Sequence, residues 1–478
     1  MKLPFGDFEP DKPTSLTTSL SAISNAYPGA NGYRPVGAFT VLQTSLPTIC
    51  KGAASFTSAV GKSIIIAGTA TNLYIAKSGG FASIGSSYSI QGDARWRFAQ
   101  FGGLAIATNG TDPLQKIDVG SEIVAPLGGT PPTFRMLGVV QNFLVGGVYN
   151  GNTNVVAWSG ENNAEWWTFG QRKSDYNIFP DGGDVTGIIG GEYGLILQRG
   201  CIRRMTYIGG NVLFRFDKIA SNVGCVTVHS VAQYGDTAFW YSDSGFKMWD
   251  GTQIIPIGFE KVDATFAAQY NSSSWPKMSC AIDGPRNTVT WSMGDKIWIY
   301  NWLLLKWSII SLATEIVFSG VVKTLSVDEQ DILVGVNDGN MDYAGLLSFD
   351  DPRFKGGDPR CYLFDTTHAL GTLSGANLAV SATAGNYEIV DSGDTRIRRI
   401  RPMTDAIAGM TVTISTRQRF GDSPITSTGT LLTQRGEMPI RARGRFALVT
   451  LQIAAGQPWT FMQGIALPTG KFARGNKR

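Results

Sequence analysis

Histidine is nearly absent from this chain: 478 residues contain two, His229 and His368. Neither has a cysteine, histidine or carboxylate at metal-ligand spacing, so no metal residue and no catalytic imidazole is assigned. Charge is also scarce, at 16% Asp, Glu, Lys and Arg, where roughly a quarter is usual. Apolar runs are short. The longest, "KSIIIAG" and "NWLLLKW", are strand-length, far below the about 18 residues of a membrane span, so none is expected. The opening "MKLPFGDFEPDKP" lacks the apolar core of a secretory signal. The five cysteines, Cys50, Cys201, Cys225, Cys280 and Cys361, are odd in number and scattered, with no C-x-x-C. They read as small buried hydrophobes in a reducing compartment.

Short motifs add no chemistry. "GKS" at 61–63 would need glycine at position 56 to be a phosphate loop, and Phe56 stands there, so a hairpin turn is expected. "GIIGGEYG" (187–194) is not G-x-G-x-x-G and reads as a turn entering a strand. The Trp249-Asp250 dipeptide has no preceding Gly-His, which sets the chain apart from ordinary WD repeats. "SDSGFKMW" (242–249) resembles the Asp-box turn of sialidase propellers, with Trp249 one residue late; that turn is structural in any case. Asn109-Gly110-Thr111 and Asn271-Ser272-Ser273 match the glycosylation pattern but have no secretory context. The chain is therefore expected not to be an enzyme, with no catalytic residue, cofactor-binding residue or cofactor.

What the sequence does have is glycine (58) and aromatics (25 Phe, 15 Tyr, 12 Trp), a composition for many short strands and tight turns rather than disorder. One unit recurs: turn, apolar strand, turn, second strand. It is seen in "GKSIIIAGTATNLYIAKSGGFASIG", "GDTAFWYSDSGFKMWDGTQIIPIG" and "QDILVGVNDGNMDYAGLLSFD". Its anchors fall near Gly61, Gly102, Gln141, Glu192, Gly235, Arg286 and Asp331, spaced by about 40–50 residues as four-stranded blades require. The runs are apolar on both faces, as stacked blades demand. Trp240, Trp249, Trp291, Trp298, Trp302 and Trp307 are expected to fill the gaps between blades.

The expected fold class is all-β: a β-propeller of six or seven blades over residues 50–352, flanked by other elements. Residues 1–49, with Pro4, Pro10, Pro13, Pro28 and Pro35, read as an extended arm lying on its own body or on a neighbouring subunit. Residues 353–470 read as a C-terminal β-sandwich-like domain. In "MTVTISTRQRF", Val412, Ile414 and Phe420 face one way, and Thr411, Thr413, Ser415, Arg417 and Arg419 the other. Residues 471–478 read as a basic mobile tail. Charge is uneven: residues 396–478 hold 14 Lys/Arg and 3 Asp/Glu, whereas the rest hold 27 and 34. Arg396, Arg398, Arg399, Arg401, Arg441, Arg443 and Arg445 are the candidate contact residues. Three readings stay open: contact with DNA, contact with subunits or a partner, or a solvated strand face.

Three segments taken together carry a family resemblance. They are "LPFGDFEPDKP…AISNAYPGANGYRPVGAF", then "DYNIFPDGGDVTGIIGGEYGLILQRGCIRRMTYIGG" with "SDSGFKMWDGTQIIPIGFEKVDATF", then "RGEMPIRARGRFALVTLQIAAGQPWTFMQGI". In this order the chain resembles tail nozzle or hub proteins of short-tailed bacteriophages, the packaged-DNA stabilisation group. The resemblance implies a non-enzymatic structural protein of the virion tail, assembled in the bacterial cytoplasm. Its copies would form a homo-oligomeric ring, six subunits as a rule, contacting a portal or adaptor protein and tail fibres or spikes. Double-stranded DNA would pass through the lumen without sequence-specific binding, retained until ejection. Two alternatives come from the composition: a carbohydrate- or receptor-binding tail propeller, and a cellular propeller scaffold for protein interactions.

Overall fold

A computed structural model describes residues 2–14, 18–58, 61–210, 212–321, 359–389 and 395–467. The recurring unit folds as a β-propeller. Among the described residues seven four-stranded antiparallel sheets follow one another around a ring. Their innermost strands are Gly52–Thr57, Arg97–Phe101, Phe134–Val140, Val185–Ile189, Ala232–Tyr234, Ser279–Asp283 and Thr314–Val321. Six of the expected anchors sit in or beside the turn that follows an innermost strand. The seventh, Asp331, lies outside the described residues, as does the tail at 471–478.

Patterning explains the sheets. Middle strands such as Thr288–Ser292 and Ile297–Asn301 are buried at every position, because each lies between two neighbouring blades. Outermost strands such as Asp175–Ile178 are mostly exposed. Aromatic side chains fill the wedges between blades. Trp240 and Trp249 pack with Ile189, Leu195 and Ile202 of the fourth blade. Trp291 and Trp307 stack at 5.7 Å and meet Phe246 of the fifth. Each fully buried ring contributes about 1.5–3 kcal/mol. Trp302 is only half-buried and reaches across to Tyr234 and Phe239. Glycine is needed where a ring lies flat on backbone: a Cβ on Gly68 would come within 2.1 Å of the Trp96 indole.

The seventh blade departs from the expected boundaries. Its strands are Thr314–Val321, Pro359–Asp365, Leu370–Asn377 and, outermost, Gly37–Gln43. Residues 359–377, expected in the C-terminal domain, thus belong to the propeller, and part of the expected arm closes the ring. The blade joins two distant parts of the chain, and the next strand, Val380–Ala384, goes to the other domain.

The rest of the expected arm lies on its own body, as paired strands. Residues 2–35 supply strands to a sandwich whose other strands come from 380–466. One sheet runs Ala26–Gly29, Gly32–Pro35, Met462–Ala466, Thr395–Thr404, Met438–Gly444, with Lys2–Pro4 also on Met462–Ala466. The other runs Leu20–Ser24, Val380–Ala384, Phe446–Ile453, Met410–Arg417, Ile425–Gly429. Tyr33 donates its hydroxyl to the Gly6 carbonyl at 3.1 Å, and Tyr387 to that of Pro4 at 2.7 Å. Met410–Arg417 alternates buried and half-buried as read, with Val412 and Ile414 inside. Phe420 instead lies past the strand end, 44% exposed and stacked on Phe446.

Sandwich and propeller share one continuous core. The segment between Lys2–Pro4 and Leu20–Ser24 is tied to blades five and six. Asp11 accepts the Ala264 and Thr265 N–H groups, each at 2.8 Å, at the start of the short helix Asp263–Gln269. Phe8 packs against Trp298, and Lys306 pairs with Asp7 at 3.1 Å.

Candidate functional site

The alternation of Thr395–Thr404 and Met438–Gly444 turns apolar residues inward and arginines outward. Ile397, Ile400, Ile440 and Ala442 are buried, while Arg396, Arg398, Arg399, Arg401, Arg441 and Arg443 are exposed. A register shift between Ile397 and Arg399 breaks the period, so that Arg398 and Arg399 both face outward. Arg396 lies directly opposite Arg443, which brings two cationic side chains together on the outer face.

The seven arginines divide by what they touch. Arg399 and Arg401 share Glu437 at 3.3 and 3.4 Å. Half-buried Arg445 bonds Glu388 at 2.7 Å at the point where the chain crosses from one sheet to the other. These three serve the sandwich itself. The remaining four, Arg396, Arg398, Arg441 and Arg443, line one groove of about 820 Å³ together with Ile425, Ser427 and Thr428. Ile425 is 70% exposed on its wall, so the groove offers both cationic forks and an apolar contact. The outward arginines were legible in the sequence; their division was not, because Glu388 and Glu437 come close only in the fold.

Both histidines are committed to single partners. His368 Nδ1 meets Glu315, and His229 Nδ1 meets Arg97 in the propeller channel. Among the described residues no group of three His, Cys, Asp or Glu gathers as a metal site. Burial pushes the thiols of Cys50, Cys280 and Cys361 up to about 12 and that of Cys225 to about 11, which makes them poor nucleophiles. Asp243 does not cap its own turn as an Asp-box residue would; it pairs with Arg199 of the fourth blade at 2.8 Å. Residues 187–194 span the end of the first strand of that blade, the turn at 190–193 and the start of the second strand. Among the described residues no helix is long and apolar enough to cross a membrane.

No family model and no curated protein matches the chain. Among solved structures, the β-propeller domain of Cps50 (Swd1) from Myceliophteria thermophila aligns at 9% identity with a TM-score of 0.39, covering 59% of this chain and 92% of that one.

Proposed function

We propose that the chain is a structural, non-enzymatic subunit of a ring, the nozzle or hub of a short phage tail, and that the arginine groove is one side of its subunit or adaptor contact. The observation that carries this reading is the groove itself: four arginines gathered on one outward face beside an exposed isoleucine. Carboxylates of a partner surface fit the outward forks of Arg396, Arg398 and Arg441, and such a contact would bury Ile425. The rest of the chain has an excess of seven acidic residues, 34 against 27, so one copy can supply the anions that another needs. Such a head-to-tail contact generates rings. The weakly acidic body also suits a lumen through which DNA slides, since affinity for DNA comes from phosphate contacts by Lys and Arg. The three-segment resemblance gives this ring its place in a phage tail. The segment 2–35 lends no support to a neighbour-clasping arm, being paired within its own chain.

Replacing Arg396, Arg398, Arg441 and Arg443 together with Ser tests the proposal. Electron microscopy of assembled particles should show a coaxial ring with the unaltered chain and none with the variant, while both monomers keep the same melting temperature. Normal rings from the variant would sink the interface. Saccharide binding by the isolated protein, with no ring in particles, would favour the receptor-binding alternative; a stable monomer bound to cellular proteins would favour the scaffold.

A further inference from the structure

A second cationic site lies in the propeller, far in sequence from the sandwich groove. At the end of the channel where the innermost strands begin, a cavity of about 420 Å³ is lined by Arg95, Arg97, Arg135, His229, Asn109 and Asp184, among others. Arg95 is fixed: its guanidinium donates to the carbonyls of Lys277 and Met278 at 2.9 and 3.0 Å. Arg97 donates to His229 Nδ1, so His229 is neutral and its proton sits on Nε2. Burial and the two arginines hold His229 well below its ordinary value, in accord with that assignment. Arg97 Nε is buried and has no hydrogen-bond partner. Among the described residues none of the three arginines is in an ion pair. Asp184 accepts from Thr153 at 2.6 Å, and Asp93 lies near Arg95.

Arg95 and Arg97 are half-buried and Arg135 is exposed; withdrawing cations even partly from water is costly unless a ligand supplies counter-charge. The lining cations outnumber the one lining carboxylate. They come from the second and third blades, with His229 facing them from the approach to the fifth. A planar carboxylate has two oxygens and satisfies one guanidinium fork. A phosphate group has more oxygens, set tetrahedrally, and matches several donors converging from different sides. We infer that this end of the propeller channel is a binding site for a small phosphate-bearing anion, held by Arg95, Arg97 and Arg135. The cavity has room for a phosphate monoester as well as inorganic phosphate.

Titration calorimetry on the full chain, at constant ionic strength, tests this with inorganic phosphate, glycerol phosphate and citrate. Saturable one-to-one binding of phosphate is expected, with Kd below about 1 mM. Arg135→Ser, at the exposed rim, should weaken it by about tenfold or more without changing the melting temperature. Arg97→Gln should abolish it, and Arg396→Ser in the sandwich groove should leave it unchanged. Tighter binding of glycerol phosphate would point to a phosphorylated metabolite, and equal binding to phosphate alone; both support the site. Absence of saturable phosphate binding would overturn the inference. So would citrate binding in its place, or equal affinity in Arg135→Ser and the unaltered chain.

Discussion

Propeller and sandwich are both made of antiparallel strands, yet they are wired in opposite ways. In the first six blades every strand pairs with its neighbour in sequence. In the sandwich, Leu20–Ser24 pairs with Val380–Ala384, and Lys2–Pro4 with Met462–Ala466. The seventh blade stands between the two patterns, local on one side and closed by Gly37–Gln43 on the other. Stability tolerates such distant pairing, because loop-closure cost grows only logarithmically with length. Dependence on both ends of the chain is the difference that matters. The propeller's blades are modular, whereas the sandwich is a single unit with no half able to stand alone.

The strongest way to break this contrast is to delete residues 2–35 while keeping the closing strand Gly37–Gln43. The deletion removes strands from both sheets. Limited proteolysis should then digest residues 380–467 and spare residues 37–321. A sandwich that stays protected would show that its C-terminal strands suffice alone. The seam offers a milder test. Asp11→Ala leaves the helix at Asp263–Gln269 without its cap from the N-terminal segment. It should lose about 1–2 kcal/mol in denaturant unfolding; an unchanged midpoint would mean that this tie is idle.

The smallest effect lies beside it. Burial raises the Asp263 carboxyl from 3.8 to about 6, and its Oδ2 has no partner. The folded state therefore holds this proton more tightly than the unfolded state. Stability from this group is full at low pH and declines as pH rises through that interval. Asp263→Asn should be more stable than the unaltered protein at pH 8, by about 1 kcal/mol after discounting for partial exposure. Thermal melts should show the gap closing by pH 4. A gap independent of pH would assign the effect to something other than ionisation.

The same difference in wiring decides what could be read from the sequence. Blades were legible because Gly61, Gly102, Gln141, Glu192, Gly235 and Arg286 fall at one repeated place in a local hairpin. The segment 2–35 read as an arm because its strands are short and carry Pro4, Pro28 and Pro35, and because Lys2–Pro4, Leu20–Ser24 and Gly32–Pro35 have partners more than three hundred residues away. The outward face of Arg441 and Arg443 followed from strict alternation. The paired Arg398 and Arg399 did not, since a bulge leaves no mark in an arginine-rich run. Arg97 and His229 gave no signal at all: 132 residues separate them, and only the curvature of the ring brings them into one channel.

The closing strand also sets a timetable. Roughly 340 residues separate Gln43 from Val380, and a ribosome adding about 5–20 residues per second needs about 20–70 s to make them. Throughout that interval Leu20–Ser24 and Gly37–Gln43 have left the ribosome without their partners, while Ala26–Gly29 and Gly32–Pro35 have only each other. Unpaired strands invite pairing with other chains. Pro28 and Pro35, which each lack a backbone N–H, lie in two of those strands, where they leave gaps in any foreign ladder. Birth order thus leaves strand edges open until the last strands emerge, and two of the earliest strands carry a proline.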